Sequence, residues 1–195
     1  VSQQKLTYIA GVETLDTVEA YTAKADGRRI PVPAGNILTQ DGSPGMPGIY
    51  FRDLKQRTII FSDVGVGDTL VMTNRRDIAW KELFSEFSHS LPFPRSAGLT
   101  SVNITVEAPA SVSLRVKATG NGGAETVDEQ AGLRRHTIAI TPAPYAPDEA
   151  GAVSVLDRDP VVSMSTYTSF EELGSIYGRN ALPKARVTPD IAALA

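Results

Sequence analysis

Ser101-Val102-Asn103-Ile104-Thr105-Val106 and, beyond Pro109, Val112-Ser113-Leu114-Arg115-Val116 decide the fold class. Val102, Ile104 and Val106 fall on one side of an extended chain, and Ser101, Asn103 and Thr105 on the other. Val112, Leu114 and Val116 repeat the alternation after the proline. Successive side chains of a strand point to opposite faces, so this period of two marks strands with one face buried and one in water. Read locally, the two runs form an antiparallel pair closed by Gly120-Asn121-Gly122-Gly123.

The same texture extends in both directions. Leu133 to Ile140 reads as a strand with His136, Ile138 and Ile140 on one side, and Val161 to Tyr167 as a last short strand. Between them, Thr141 to Asp148 holds three prolines and reads as a connector. Upstream, Thr14 to Lys24 is rich in Thr, Val and Tyr. Asp26-Gly27 supplies a turn, and Arg28 to Val32 returns as a partner that Pro31 and Pro33 confine to an edge. Residues 34–48 are dense in Gly, Pro, Asp and Ser and read as a loop. Ile49 to Phe51, Arg57 to Phe61 and Thr69 to Ile78 read as strands, with a hairpin turn at Val64-Gly65-Val66-Gly67-Asp68. The aromatic stretch Glu82 to Leu91 suits either period, and the interleaved Ser and His favour strand. Many short strands between turns predict an all-β, mainly antiparallel chain, a two-layer β-sandwich with a short C-terminal helical segment. The expected organisation is a sandwich over 1–166 and a helical linker over 167–195.

The end of the chain changes period. Ser169-Phe170-Glu171-Glu172 is a capping box, in which the Ser hydroxyl accepts from the amide three residues on and Glu172 reaches back. Leu173, Ile176 and Tyr177 share a helical face, and Gly178 is the expected stop. Thr188-Pro189-Asp190 is a second helix start, followed by barely one turn. So short a helix gains too little to form alone, which implies a longer helix belonging to a next domain. The opening Val1-Ser2-Gln3-Gln4-Lys5 has no initiator Met and reads as a processed or trimmed, frayed end.

Composition bounds the function classes. The chain has 195 residues, 42% apolar and 21% charged, with a formal net charge of -3. It lacks the basic excess that nucleic-acid or anionic-membrane binding requires. No apolar run of about 18 residues is present to span a membrane. Cysteine is absent, which excludes disulfides, zinc–thiolate sites and a cysteine nucleophile from this segment. The two histidines, His89 and His136, share no metal-ligand spacing. Gly65-Val66-Gly67-Asp68 lacks the third glycine of a dinucleotide fingerprint and leads into a strand. Ser2-Gln3-Gln4-Lys5 matches Ser-x-x-Lys without its companion motifs. Asn103-Ile104-Thr105 is a glycosylation sequon by pattern alone. Asp157-Arg158-Asp159 and Arg75-Arg76-Asp77 read as salt-bridged turns, since a hard cation wants at least about six oxygens. The residues offer no nucleophile–base pair, paired catalytic carboxylates or phosphate loop, so no catalytic residue, cofactor or metal is expected here.

Several local patterns together resemble a known family. They are Glu13-Thr14-Leu15 with Glu19-Ala20-Tyr21-Thr22, Lys24 and Asp26-Gly27-Arg28; Phe61-Ser62-Asp63-Val64 with Val66-Gly67-Asp68-Thr69; Ser165-Thr166-Tyr167 with Phe170, Leu173-Gly174 and Tyr177; and Val187-Thr188-Pro189-Asp190-Ile191. Over residues 6–195 they resemble the bacterial domain of unknown function that lies N-terminal to transglutaminase-like (papain-like cysteine) domains of exported proteins. The resemblance implies a β-sandwich, an extracytoplasmic and periplasmic setting, and a family pattern that starts some strands before Val1. It also implies Cys-His-Asp chemistry in a downstream domain, to which no residue here is assigned. The expected role is a non-catalytic accessory or recognition module whose partner is that downstream domain. Tyr167, Phe170 and Tyr177 are the candidate interdomain contacts, and a peptide or cell-wall ligand is possible. Alternative readings are a carbohydrate- or cell-wall-binding sandwich, for which an exposed aromatic row including Trp80 would speak, and a structural protein–protein domain binding through an open sheet edge.

Overall fold

A computed structural model describes residues 2–41, 53–79, 86–119, 124–185 and Pro189. The chain divides into two compact units, Val1–Trp80 and Lys81–Ala195. Mainly antiparallel strands dominate both, as the alternation predicts.

The first unit holds β1 (Gln3–Ile9), β2 (Glu13–Ala23), β3 (Arg29–Pro31), β4 (Ile37–Asp41), β5 (Leu54–Ile60) and β6 (Thr69–Ile78). They form two three-stranded sheets, β1-β5-β4 and β3-β2-β6. Among its described residues Leu15, Ile59 and Phe61 are the buried apolar ones, joined by buried Thr22, Gln56 and Thr58. Buried polar groups are costly unless bonded. Thr22 meets that requirement by donating to the Ser62 carbonyl at 2.8 Å, and the Arg57 guanidinium bonds the Leu15 carbonyl. Both contacts tie one sheet of the unit to the other. The β2–β3 hairpin closes over three residues. The Gly27 amide donates to the Lys24 carbonyl and the Lys24 amide to that of Arg28, with Gly27 at φ 86°, a turn followed by a left-handed residue. Pro31 ends β3 on an edge, where its missing N–H costs nothing.

Three expectations need correction here. The N-terminal segment is not frayed, because Gln3–Ile9 pairs with β5 along its whole length. The 34–48 loop contains a strand, β4, whose Ile37-Leu38-Thr39 core was masked by the flanking Gly and Pro. The Val64–Asp68 turn exists, with Gly67 at φ 90°, but it is no hairpin. It carries the chain from β5 in one sheet to β6 in the other.

The second unit holds β7 (Ser88–Pro92), β8 (Val102–Pro109), β9 (Arg115–Thr119), β10 (Ala124–Gln130), β11 (Leu133–Ile140), the single-turn α1 (Val155–Arg158), β12 (Val161–Ser165) and α2 (Phe170–Ala181). Its sheets are β10-β11-β8 and β7-β12-β9. They face each other across one core. Ile138 and Ile140 of β11 meet Val162 and Met164 of β12, and Val102, Ile104, Val106, Leu114, Val116 and Ala118 pack around them. The inward positions in 102–116 are thus those the alternation marks, yet the two runs are not partners. β8 pairs with β11, and β9 pairs with β12. A period of two identifies the buried face of a strand and says nothing about its neighbour. Residues Ser88 to Pro92 are strand, as preferred over helix. Glu82 to Ser85, Ile49 to Phe51, Trp80 and the Gly120–Gly123 turn lie outside the described residues.

The sequence reading also missed β10. Its Ala-Glu-Thr-Val-Asp-Glu-Gln is polar on both faces because it is an exposed edge strand, held in register by β11. Ala131 and Gly132 join the two, at φ 54° and 77°. This is a type I′ turn, in which Ala is a poor fit for the first left-handed position. Ala131→Asn is therefore expected to raise the stability of the second unit by about 1 kcal/mol, read as a higher urea midpoint at unchanged slope.

Candidate docking site

The C-terminal end of the second unit is assembled by a polar clasp. β12 is the central strand of its sheet, and at its end the Thr166 amide donates to the Phe87 carbonyl at 2.9 Å. The Phe87 amide in turn donates to the Thr166 hydroxyl at 2.8 Å, and Glu86 accepts from that hydroxyl at 3.2 Å. Arg115 of β9 reaches the Thr168 carbonyl at 2.8 Å. These bonds fix the chain where it turns into α2.

The helix start follows the capping box with one change. Ser169 is the cap, and its hydroxyl accepts from the Glu172 amide at 3.2 Å. Glu172 reaches one residue further back than expected, to the amide and hydroxyl of Thr168 at 2.7 and 2.6 Å. Those two bonds hold the Glu172 carboxyl below the usual carboxylate range. The expected stop at Gly178 is overrun. α2 continues to Ala181 and tightens into a 3-10 turn over Leu182–Ala185. Gly178 keeps a helical backbone, so the residue that commonly ends a helix here only weakens one. Thr188 and Asp190 of the second helix start lie outside the described residues.

Tyr167, Phe170 and Tyr177 separate in character. Tyr167 is half-buried, and its phenol is pushed above its ordinary value, first by burial and then by the charges of Glu86 and Glu172. Phe170 is 89% exposed, Tyr177 58% and Leu182 68%, whereas Ile176, about 100° round the helix from Tyr177, is buried, so the face expected to hold Leu173, Ile176 and Tyr177 together is divided between core and solvent. A helix anchored so firmly at its start thus turns two aromatic rings outward.

The other clusters singled out in the sequence are structural bonds, but not the exposed turns expected: Arg75-Arg76-Asp77 lies within β6, and Asp159 is buried directly after α1. The Asp159 side chain is fully buried, and Arg95 and Arg158 bond its two oxygens at 3.0 and 3.2 Å. Arg158 also holds Asp148 at 2.8 Å, while Asp157 takes no part in these bonds. Burial pushes the Asp159 carboxyl up, and the bonds from Arg158 and Arg95 outweigh it, so the net displacement is downward. No local signal in the sequence announces Arg95 or Asp148 as partners. Arg75 pairs with Asp77 on the surface, and Arg76 reaches the Thr7 carbonyl at 2.7 Å. Lys24 lies 2.9 Å from Asp68 and 3.3 Å from Asp63, tying the β2–β3 hairpin to the β5–β6 turn. His136 is buried on the inward face, with Nδ1 2.8 Å from Glu125; His89 is exposed beside Phe87. Asn103 of the sequon is exposed on β8. Among the described residues no three His, Asp or Glu side chains converge on a common point, and no helix is long and apolar enough to cross a membrane.

Residues 1–147 match the family model of a domain of unknown function with a solved structure, DUF3857. The chain belongs to the DUF3857 family. The match ends before α1, β12 and α2, so the exposed aromatics lie beyond it. No curated protein matches the sequence. Among solved structures the chain is similar to a Parabacteroides distasonis protein described as a "putative protease", at 15% identity and a TM-score of 0.73. The likeness covers 88% of this chain and 34% of that one, so it establishes the shared fold, and this DUF3857 chain spans about a third of that protein's length.

The Asp159 cluster gives a pH test. A carboxyl lowered in the folded state adds stability that is present above its unfolded value, about 3.9, and is lost as pH falls through the folded one. Asp159→Asn is expected to lower the melting temperature at pH 7 more than Asp157→Asn does. It should also flatten the loss of stability on acidification below about pH 4, as followed by thermal melts from pH 7 to 2.5.

Proposed function

We propose that this chain is a non-catalytic accessory module of an exported transglutaminase-like protein, and that it positions the downstream domain through the outward face of α2. The observation that carries the reading is the exposure of Phe170 and Tyr177 on a helix whose start is held by the Ser169 cap, the Glu172–Thr168 bonds and Arg115. Ordering this segment costs conformational entropy, and leaving two aromatic rings in water returns nothing for it. A partner that covered them would gain about 1.5–3 kcal/mol for each ring.

Two further facts support the reading. A fold of this kind occupies about a third of a longer protein described as a "putative protease". The buried polar groups of both units are largely spent on tying strands and connectors together, as in the Asp159, Thr22 and Lys24 clusters. The transglutaminase-like neighbour and the extracytoplasmic setting rest on the family resemblance of the sequence motifs.

In the full-length protein, Phe170→Ser with Tyr177→Ser is expected to lower the melting temperature of the downstream domain and its hydrolysis of fluorescein-labelled casein. Removing residues 1–195 should lower the soluble yield as well. Unchanged melting, yield and hydrolysis in both variants would overturn the proposal.

A further inference from the structure

We infer that the surface received by α2 is itself an apolar helix, contributed by the remainder of the same polypeptide and crossing α2 at Gly174; the inference rests on the docking role above. Phe170, Gly174, Tyr177 and Ala181 are spaced four, three and four residues apart. That is the alternating seam along which two helices interdigitate. Phe170, Gly174 and Tyr177 are all exposed, and the buried residue of α2 is Ile176, on another face. The stripe is therefore free while the helix is held from its other side.

Gly174 is the informative residue. It lies in the interior of a twelve-residue helix, where glycine weakens the helix relative to any straight-chain residue. Its backbone does not have the positive φ that would require glycine. A Cβ added to it would meet nothing within 4 Å. Neither backbone geometry nor packing among the described residues accounts for it. A convex ridge arriving from outside does. With no side chain at 174 and an exposed ring one turn to either side, the stripe is a notch between two walls, which lets a second backbone approach closely. A flat sheet face or a sugar ring would be served by the aromatic rings alone and would gain nothing from the notch. The partner is placed in the same polypeptide because the structurally similar protein is about three times as long as the part matched here.

The test is amide hydrogen exchange over Phe170–Ala181, in the full-length protein and in the 195-residue chain. Protection of α2 is expected to be at least tenfold higher in the full-length protein. Gly174→Leu should abolish that excess, although leucine strengthens an isolated helix. Equal protection in the two chains, or protection that Gly174→Leu leaves unchanged or raises, would overturn the inference. The control is Phe170→Ser with Tyr177→Ser. If these lower protection while Gly174→Leu does not, the docking role stands and the helical partner falls. If neither has an effect, both fall.

Discussion

The second unit depends on one strand finding its place. β12, the last of the described strands, inserts between β7 and β9 and is the only hydrogen-bonded neighbour either has among them. Its two edges are paired, and Val161, Val162 and Met164 are all buried, with Ser163 and Ser165 half-buried between and after them. Val162 and Met164 then meet Ile138 and Ile140 of the opposite sheet. The Thr166 clasp, the Arg115 bond and the orientation of α2 follow from this placement, because each begins at an end of β12 or on a strand beside it.

The two units solve burial differently. The second has a continuous aliphatic core shared between its sheets. Among the described residues the first has three buried apolar and three buried polar ones, so directed bonds such as Thr22 to the Ser62 carbonyl carry more of its cohesion. Directed bonds fix geometry more tightly than apolar contact does, and removing one partner leaves the other unsatisfied. Edge strands in both units carry protection against unwanted pairing. Pro31, Pro92 and Pro109 each end an edge strand, and β10 carries Glu125, Asp128 and Glu129.

What the sequence discloses follows from the range of each interaction. The inward faces of 102–116 and 133–140 were legible because alternation is local. The pairing of β8 with β11 instead of β9 was not, because two strands that bury the same face look alike whether they lie in one sheet or opposite sheets. β10 escaped because an exposed edge has no apolar period, and β4 because five ordinary strand residues sit among Gly and Pro. At the candidate docking site the Ser169 cap was readable, being a four-residue pattern. The passage of α2 through Gly178 was not, since packing of Ile176 and continuation to Ala181 outweigh a local preference of about 1 kcal/mol. Arg95, Asp148 and Glu86 gained their roles only through contacts with residues distant in the chain.

The position of β12 also sets an order in time. During synthesis, residues 88–92 and 115–119 emerge well before the strand that must lie between them. Until residues 161–165 arrive, the β7-β12-β9 sheet has two outer strands and no centre, and Ile138 and Ile140 of β11 lack Val162 and Met164 to close against. In the first unit the described strands pair among themselves and end at Ile78. Contacts between residues far apart in sequence form late and slowly. The waiting half is also the stickier one, so the interval before the chain reaches Ser165 is when this protein is most exposed to misassociation.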